Sequence, residues 1–272
     1  MEGTIVRIIS NLYTVEANAK LYECHARGKF YHDKLTPLVG DRVKFDEKNN
    51  YILELLPRTN SLERPMIANV SMAVIVTSVK PNLDLNLLDK LLTVIIHNRI
   101  EPIICFTKLD LLSYQEKKNI KKIIKYYNNI GIKALPNYKQ RVLTKLTANK
   151  VVVLAGQTGA GKSSLLNRLD KSLNLETNPI SKALGRGVHT TRHVELFKYK
   201  KSLIADTPGF SALDLKTLSI SEIRDTFPEF KVGCDFNDCL HRNEQKCRVK
   251  DLVTTGKIME SRYQNYLKFG GK

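Results

Sequence analysis

Nine consecutive residues, Gly156-Gln157-Thr158-Gly159-Ala160-Gly161-Lys162-Ser163-Ser164, carry the spacing of a phosphate-binding loop. They follow a β-branched run, Val151 to Ala155, and open a helix predicted over Ser164 to Leu169, the context such a loop requires. Its glycines let backbone N–H groups face a β-phosphate, and the helix N-terminus adds positive potential. Lys162 would span the β- and γ-phosphates, and the Ser163 hydroxyl would ligate Mg²⁺. Asp206-Thr207-Pro208-Gly209 ends a second predicted strand, Ser202 to Ala205. The Asp206 carboxylate would hold Mg²⁺ through water, and the Gly209 N–H would bond a γ-phosphate. Thr107-Lys108-Leu109-Asp110 ends a third, Pro102 to Phe106. The Asp110 carboxylate can accept from guanine N1–H and the exocyclic amine together, a pair that adenine does not offer. Lys108 would cover the base plane. Thr107 stands where Asn is usual, and its hydroxyl keeps one hydrogen bond of that amide. Ala134-Leu135-Pro136-Asn137 is the candidate for a further backbone contact to the base, and a poor match.

Between phosphate loop and sensor lies Leu184-Gly185-Arg186-Gly187-Val188-His189-Thr190-Thr191-Arg192-His193. Either Thr190 or Thr191 would close onto Mg²⁺ with GTP bound. Phe210 follows the sensor glycine, and a phenyl ring cannot orient an attacking water. His189 is the candidate for that role, its alternative being a surface histidine and a slow intrinsic rate.

A second chemistry sits near the C-terminus, in Cys234-x4-Cys239-x-His241-x5-Cys247. Three thiolates and one imidazole suit tetrahedral Zn²⁺, and four protein ligands make such a site structural. A disulfide reading leaves one cysteine over and ignores His241. Cys24 and Cys105 fall in predicted strands and read as buried thiols. His25, His32, His97 and His193 have no partner pattern.

The 272 residues are 42% hydrophobic, enough for a nucleotide-binding core with two small flanking units. No apolar run approaches a membrane span, and the N-terminus reads as having no secretory signal. Five cysteines, an odd number, fit a reduced compartment. The formal net charge of +17 attracts polyanions, with phosphate backbones the commonest in a cytosol. An AT-rich codon bias is the bland alternative.

Short strands with turns fill residues 1–64: Thr4 to Ser10, Leu12 to Glu16, Lys20 to Ala26, Arg42 to Phe45 and Tyr51 to Leu56. Without helical periodicity they predict a small OB-type barrel. Arg27, Lys29, Phe30, Tyr31 and Lys34 interleave charge with aromatic rings, a pattern that carries phosphates and stacks bases. From about residue 70, strands alternate with helices predicted over Leu85 to Asn98 and a lysine-rich Gln115 to Asn129. That alternation predicts a parallel sheet with ligands at the strands' carboxyl ends. Helices are predicted again over Ser221 to Phe227 and Gly256 to Phe269.

An ordinary small GTPase runs loop, sensor, base motif; here the base motif comes first. Taken with the phosphate loop, Gly185 to His193, Asp206 to Phe210 and the cysteine–histidine cluster, the chain resembles the RsgA family over nearly its whole length. These are the circularly permuted GTPases of bacterial small-subunit ribosome assembly. The resemblance implies an α/β fold: a circularly permuted P-loop GTPase domain with an N-terminal OB-fold β-barrel and a C-terminal zinc-binding, mostly helical domain. The expected boundaries are 1–64 for an RNA-binding barrel, 65–218 for the GTPase and 219–272 for the zinc domain. It implies GTP hydrolysis stimulated by the small ribosomal subunit, contact with its rRNA, and His189 as the catalytic histidine. The expected cofactors are one structural Zn²⁺ and Mg²⁺ with GTP. A cytoplasmic monomer without membrane partners is expected. The alternative is a GTP-gated RNA clamp in which hydrolysis is incidental.

Overall fold

The computed structural model describes residues 1–26, 36–63, 65–169, 194–206 and 215–270, without the side chains of Glu63 and Asp206. The described chain forms two compact bodies. One is drawn from Met1–Ala73, Gln140–Ala155 and the described part of Ser163–Phe210; the other is drawn from Val74–Lys139, Gly156–Lys162 and the described part of Ser211–Lys272.

In the first body, five strands close a barrel: β1 (Glu2–Ile9), β2 (Leu12–Ala17), β3 (Lys20–Ala26), β4 (Arg42–Asp46) and β5 (Tyr51–Leu55). They run in the order β1-β2-β3-β5-β4, and β4 pairs back onto β1. Alternation along each strand turns one set of side chains inward. Ile5, Tyr13, Val15, Cys24, Val43, Phe45 and Ile52 fill the barrel and are all buried. Asn18 and Ala19, with φ of +51° and +61°, make the tight β2–β3 turn. A bulge between Ile5 and Arg7 bends β1, and Arg7 on the same strand pairs with Glu195 of β12 (Glu195–Tyr199). Antiparallel to β12 runs β13 (Ser202–Asp206). Parallel to β13, with Val153 beside Ala205, runs β11 (Val151–Ala155). The expected barrel strands are therefore present, and β12 is an antiparallel addition that the sequence pattern did not suggest.

Gly40, at φ +91°, takes the chain out of the barrel's approach turn. A Cβ there would fall 2.1 Å from the Ala68 carbonyl oxygen. Beside it, the buried Asp41 carboxylate accepts two 2.7 Å bonds from Arg58 and one from the Leu38 N–H. A hairpin of β6 (Ser61–Glu63) and β7 (Met66–Ala68) follows.

In the second body, β8 (Met72–Ser78), β9 (Glu101–Thr107) and β10 (Lys133–Pro136) stand in the order β10-β9-β8, with β10 parallel to β9. Every residue of β8 is buried, as expected of a parallel strand covered on both faces. Helix α1 (Leu85–His97) is capped by Asp84, which accepts from the Leu87 N–H. Helix α2 (Tyr114–Asn129) starts with a complete capping box between Ser113 and Glu116. Helices α3 (Gln140–Thr147) and, from Ser163 on, α4 (Lys162–Leu169) belong to the first body and flank β11 in sequence.

The C-terminal segment adds α5 (Ile220–Asp225), a 3-10 turn at Pro228–Phe230, α6 (Arg248–Thr254) and α7 (Glu260–Phe269). The helix predicted from Gly256 onward starts later, at Glu260. Gly256, at φ +70°, instead terminates α6, with the Lys257 and Ile258 N–H groups returning to the Leu252 carbonyl. None of the described helices is long and apolar enough to cross a membrane.

Candidate functional site

The phosphate loop leaves the carboxyl end of β11 and runs into α4. Gly156 has φ +129°, and a Cβ on it would sit 2.1 Å from the Val76 carbonyl oxygen. Gly159 and Gly161, at +76° and +97°, complete a turn that side chains disfavour. Lys162 Nζ donates to the Gly156 and Gln157 carbonyls at 2.7 and 2.9 Å, which holds the ammonium over the loop. Ser163 and Ser164 follow in the first turn of α4, half-buried and exposed respectively.

The base motif is tied to this loop by Thr107. Its hydroxyl is buried and donates to the Ala160 carbonyl at 2.6 Å, with the Thr77 carbonyl at 3.3 Å. A hydroxyl has one proton, so the shorter contact takes it. Thr107 thus has a mechanical link to the phosphate loop, which a reading of it as a weakened Asn did not foresee. Lys108 adopts the left-handed conformation at φ +58°, a strain of order 1–2 kcal/mol for a side-chain-bearing residue. That turn leads into the 3-10 turn Leu109–Leu111 with Asp110 exposed at its start. Asn137, at the end of the weak Ala134 segment, donates its N–H to the Phe106 carbonyl at 2.9 Å.

A cavity of about 560 Å³ is lined by Lys108, Gln157, Thr158 and Gly159. Lys80 and Asn82 line it as well. The segment after β8 was not singled out from sequence. Its signal was positional, since Lys80-Pro81-Asn82 follows a buried parallel strand at its carboxyl end. Lys80 is steadied by Glu116 at 2.7 Å. That contact, with the Ser113 cap, holds the Glu116 carboxyl down at about 2.

Asp206 ends β13, beside the parallel β11 that delivers the phosphate loop. His189, Thr190, Thr191, Gly209 and Phe210 lie outside the described residues, as do Arg27, Lys29, Phe30, Tyr31 and Lys34 of the barrel.

The cysteine–histidine cluster is assembled. One ligand atom from each of Cys234, Cys239, His241 and Cys247 lies within 4.8 Å of all the others. His241 Nδ1 is 3.6, 3.2 and 3.3 Å from the three sulfurs in chain order. Cys239 and Cys247 sulfurs are 3.9 Å apart. Tetrahedral zinc, with bonds of about 2.3 Å to sulfur and 2.0–2.1 Å to nitrogen, requires S···S near 3.8 Å and S···N near 3.5 Å. The donor set and its spacing therefore fit. Burial pushes the Cys239 thiol up to about 12 and the His241 imidazole down. A neutral imidazole suits a metal ligand, and the thiols need a bound cation to ionise.

The supporting groups were not legible from the motif. His241 sits at φ +58°. Glu244 accepts from the Leu240 and Arg242 N–H groups, both at 2.7 Å, and clamps the backbone on either side of it. From α7, Tyr263 donates to the His241 carbonyl at 2.7 Å and Tyr266 to the Leu240 carbonyl. Helix α7 is itself anchored to α1 through Arg262. This fully buried guanidinium bonds Asp89 at 2.7 Å and Glu229 at 2.6 and 3.0 Å, and lies 4.4 Å over the Phe227 ring. Tyr127 and Asn265 supply Asp89 with two further hydrogen bonds. Cys24 and Cys105 are buried thiols in β3 and β9, as expected.

The family model described as RsgA GTPase matches residues 55–216, and that of the RsgA N-terminal domain matches residues 2–52. A relative from Oceanobacillus iheyensis, named small ribosomal subunit biogenesis GTPase RsgA 2, is 45% identical over 98% of this chain and 96% of its own. One from Limosilactobacillus fermentum, named small ribosomal subunit biogenesis GTPase RsgA, is 46% identical over 98% and 95%. Among solved structures, YloQ, titled a circularly permuted GTPase, superposes with a TM-score of 0.84 at 37% identity, covering 99% of this chain and 93% of that one. YjeQ from Thermotoga maritima gives 0.83 at 31% identity, over 99% and 96%.

Proposed function

The chain belongs to the RsgA family of GTP-hydrolysing enzymes, and from that premise we propose that it acts in late maturation of the small ribosomal subunit. GTP is hydrolysed to GDP and phosphate, with the subunit and its rRNA as partner and stimulus. The carrying observation is the join between the phosphate loop and the base motif: Thr107 holds Ala160, while Lys108 and Gly159 line one cavity.

In this reading Gly156 to Gly161 wrap the phosphates, and Lys162 shifts from loop carbonyls to phosphate oxygens. Asp110 reads the guanine edge and Lys108 covers its plane, with Leu109 as backbone support between them. Ser163, one switch threonine (Thr190 or Thr191) and Asp206 would hold Mg²⁺, which would supply positive charge to the phosphates. The Gly209 N–H senses the γ-phosphate. His189 orients water, the role that Phe210 cannot fill.

One zinc ion on Cys234, Cys239, His241 and Cys247 has no open position and serves the fold alone. The functional boundaries are residues 1–64 for the RNA-binding barrel, 65–218 for the GTPase and 219–272 for the zinc domain. The protein works as a cytoplasmic monomer.

Turnover measured with purified small and large subunits in parallel tests the reading. Small subunits should raise it and large subunits should not. His189→Ala should abolish most of the rise, by about 10²–10⁴-fold, and leave GTP affinity within a few-fold. A His189→Ala protein that small subunits stimulate as strongly as wild type would remove the histidine from catalysis. Wild-type turnover indifferent to small subunits would favour the GTP-gated clamp.

A further inference from the structure

Helix α2 places its charges in one sector. Lys117, Lys118, Lys121, Lys122 and Lys125 are all exposed. At about 100° per residue they fall within an arc of about 140°. Tyr114, 86% exposed, lies in the middle of that arc one turn before the first lysines. The buried residues Ile120 and Tyr127 project from the opposite side. The helix's one carboxylate, Glu116, points away from the arc and is engaged by Lys80. Among the described residues none of the five lysines has a salt bridge.

An ordinary solvated helix face mixes signs, with Glu–Lys pairs at i,i+4. Here the i,i+4 pairs are Lys117–Lys121, Lys118–Lys122 and Lys121–Lys125, each unfavourable in isolation. The capping box and the buried face hold the helix against that repulsion. We propose that this arc of α2 is an RNA-binding face on the nucleotide-binding part of the chain, taking the phosphate backbone of an RNA helix. The ribosomal identity of that RNA rests on the function proposed above; the face itself does not.

The chemistry selects this partner over others. Lysines are compact, strongly hydrated point charges, suited to sequence-independent phosphate contact. A membrane-surface helix needs an apolar face to insert, and the apolar face of α2 is already buried in the protein. A protein interface needs an apolar centre, and the arc has none beyond Tyr114. That ring can stack on a base or sugar at the end of the phosphate track.

The test compares wild type with the triple variant Lys118→Gln, Lys121→Gln, Lys125→Gln and with its Lys→Arg counterpart. Probes are purified small ribosomal subunits, a generic RNA duplex and phosphatidylglycerol vesicles, each titrated across salt. Three lost phosphate contacts should make the slope of log affinity against log salt shallower by about 2–3 and weaken binding by up to about 10²-fold near 0.1 M salt. The arginine variant should bind as wild type, and GTP affinity in free protein should be the same in all three.

Equal affinity and slope for wild type and glutamine variant would overturn the proposal. So would an arginine variant as weak as the glutamine one, or a lysine-dependent affinity for vesicles without one for RNA. If wild type ignores small subunits yet binds the duplex through these lysines, the face stands and the ribosomal reading falls.

Discussion

Two loops in this protein are built to grip an ion or a charged ligand, and they are held in opposite ways. The phosphate loop, 156–162, is held by backbone. Its glycines take left-handed turns, and Gly156 lies so close to Val76 that a Cβ has no room. Side chains add a buried bond from Thr107, outside the loop, and the two from Lys162 within it. The Cys234–Cys247 loop is held by side chains: Glu244 from within it, Tyr263 and Tyr266 from α7, and behind them the Arg262–Asp89–Glu229 cluster. A backbone-held loop is written locally in its glycine spacing. A side-chain-held loop depends on residues far along the chain. Its helices α5, α6 and α7 are only 6, 7 and 10 residues long, too short to persist without packing or, on the function proposed above, a metal.

The largest expected effect follows from that dependence. Structural zinc in small domains binds with an apparent free energy of about 10–16 kcal/mol. Chelation, or Cys239→Ala, should therefore release amide protection through residues 234–258 and α7 while leaving GDP affinity within a few-fold. Hydrogen exchange with and without chelator reads both. Unchanged protection would mean that the loop, like the phosphate loop, stands without an ion.

Next in size is Arg262→Ala. Removing the guanidinium leaves Asp89 and Glu229 buried and unpaired, a loss of about 3–5 kcal/mol. Denaturant unfolding should show that loss, with zinc content kept, because no metal ligand is touched. The double variant Arg262→Met, Asp89→Leu should recover part of it, since it removes one of the two stranded carboxylates and leaves only Glu229 without its partner. A loss below about 1 kcal/mol for Arg262→Ala would show that α7 is anchored by its apolar contacts, Tyr266 and Phe227 among them.

The same contrast explains what the sequence disclosed. The barrel was legible because alternation along β1 to β5 states which side chains face inward, and turn residues such as Asn18 mark the reversals. The phosphate loop, the base motif and the cysteine–histidine cluster were legible because each is a short pattern whose chemistry admits few readings. Arg262 and Asp89 were not, since they lie 173 residues apart and neither position looks unusual in its own helix. Lys80 and Asn82 were missed because a cavity wall has no spacing rule. Strand β12 was missed because it gains its place from pairing with β13 and β1 rather than from its own five residues.

The smallest effect tests the side-chain prop that reaches the backbone-held loop from outside it. Thr107→Val keeps the shape of the side chain and removes its proton, leaving the Ala160 carbonyl without that donor. An unmet buried acceptor costs about 1–3 kcal/mol. The effect should appear as GDP affinity weakened by roughly 5- to 150-fold, because Ala160 lies within the turn that wraps the phosphates. Thr107→Ser should restore most of it, since the hydroxyl returns. Thr107→Asn keeps a donor to Ala160 and adds a second amide proton, so it should bind at least as well as the serine variant. Isothermal titration of the three proteins decides the matter. If valine binds GDP as tightly as threonine, the loop is fixed from within, by its glycine turns and Lys162, and the contrast with the cysteine–histidine loop sharpens.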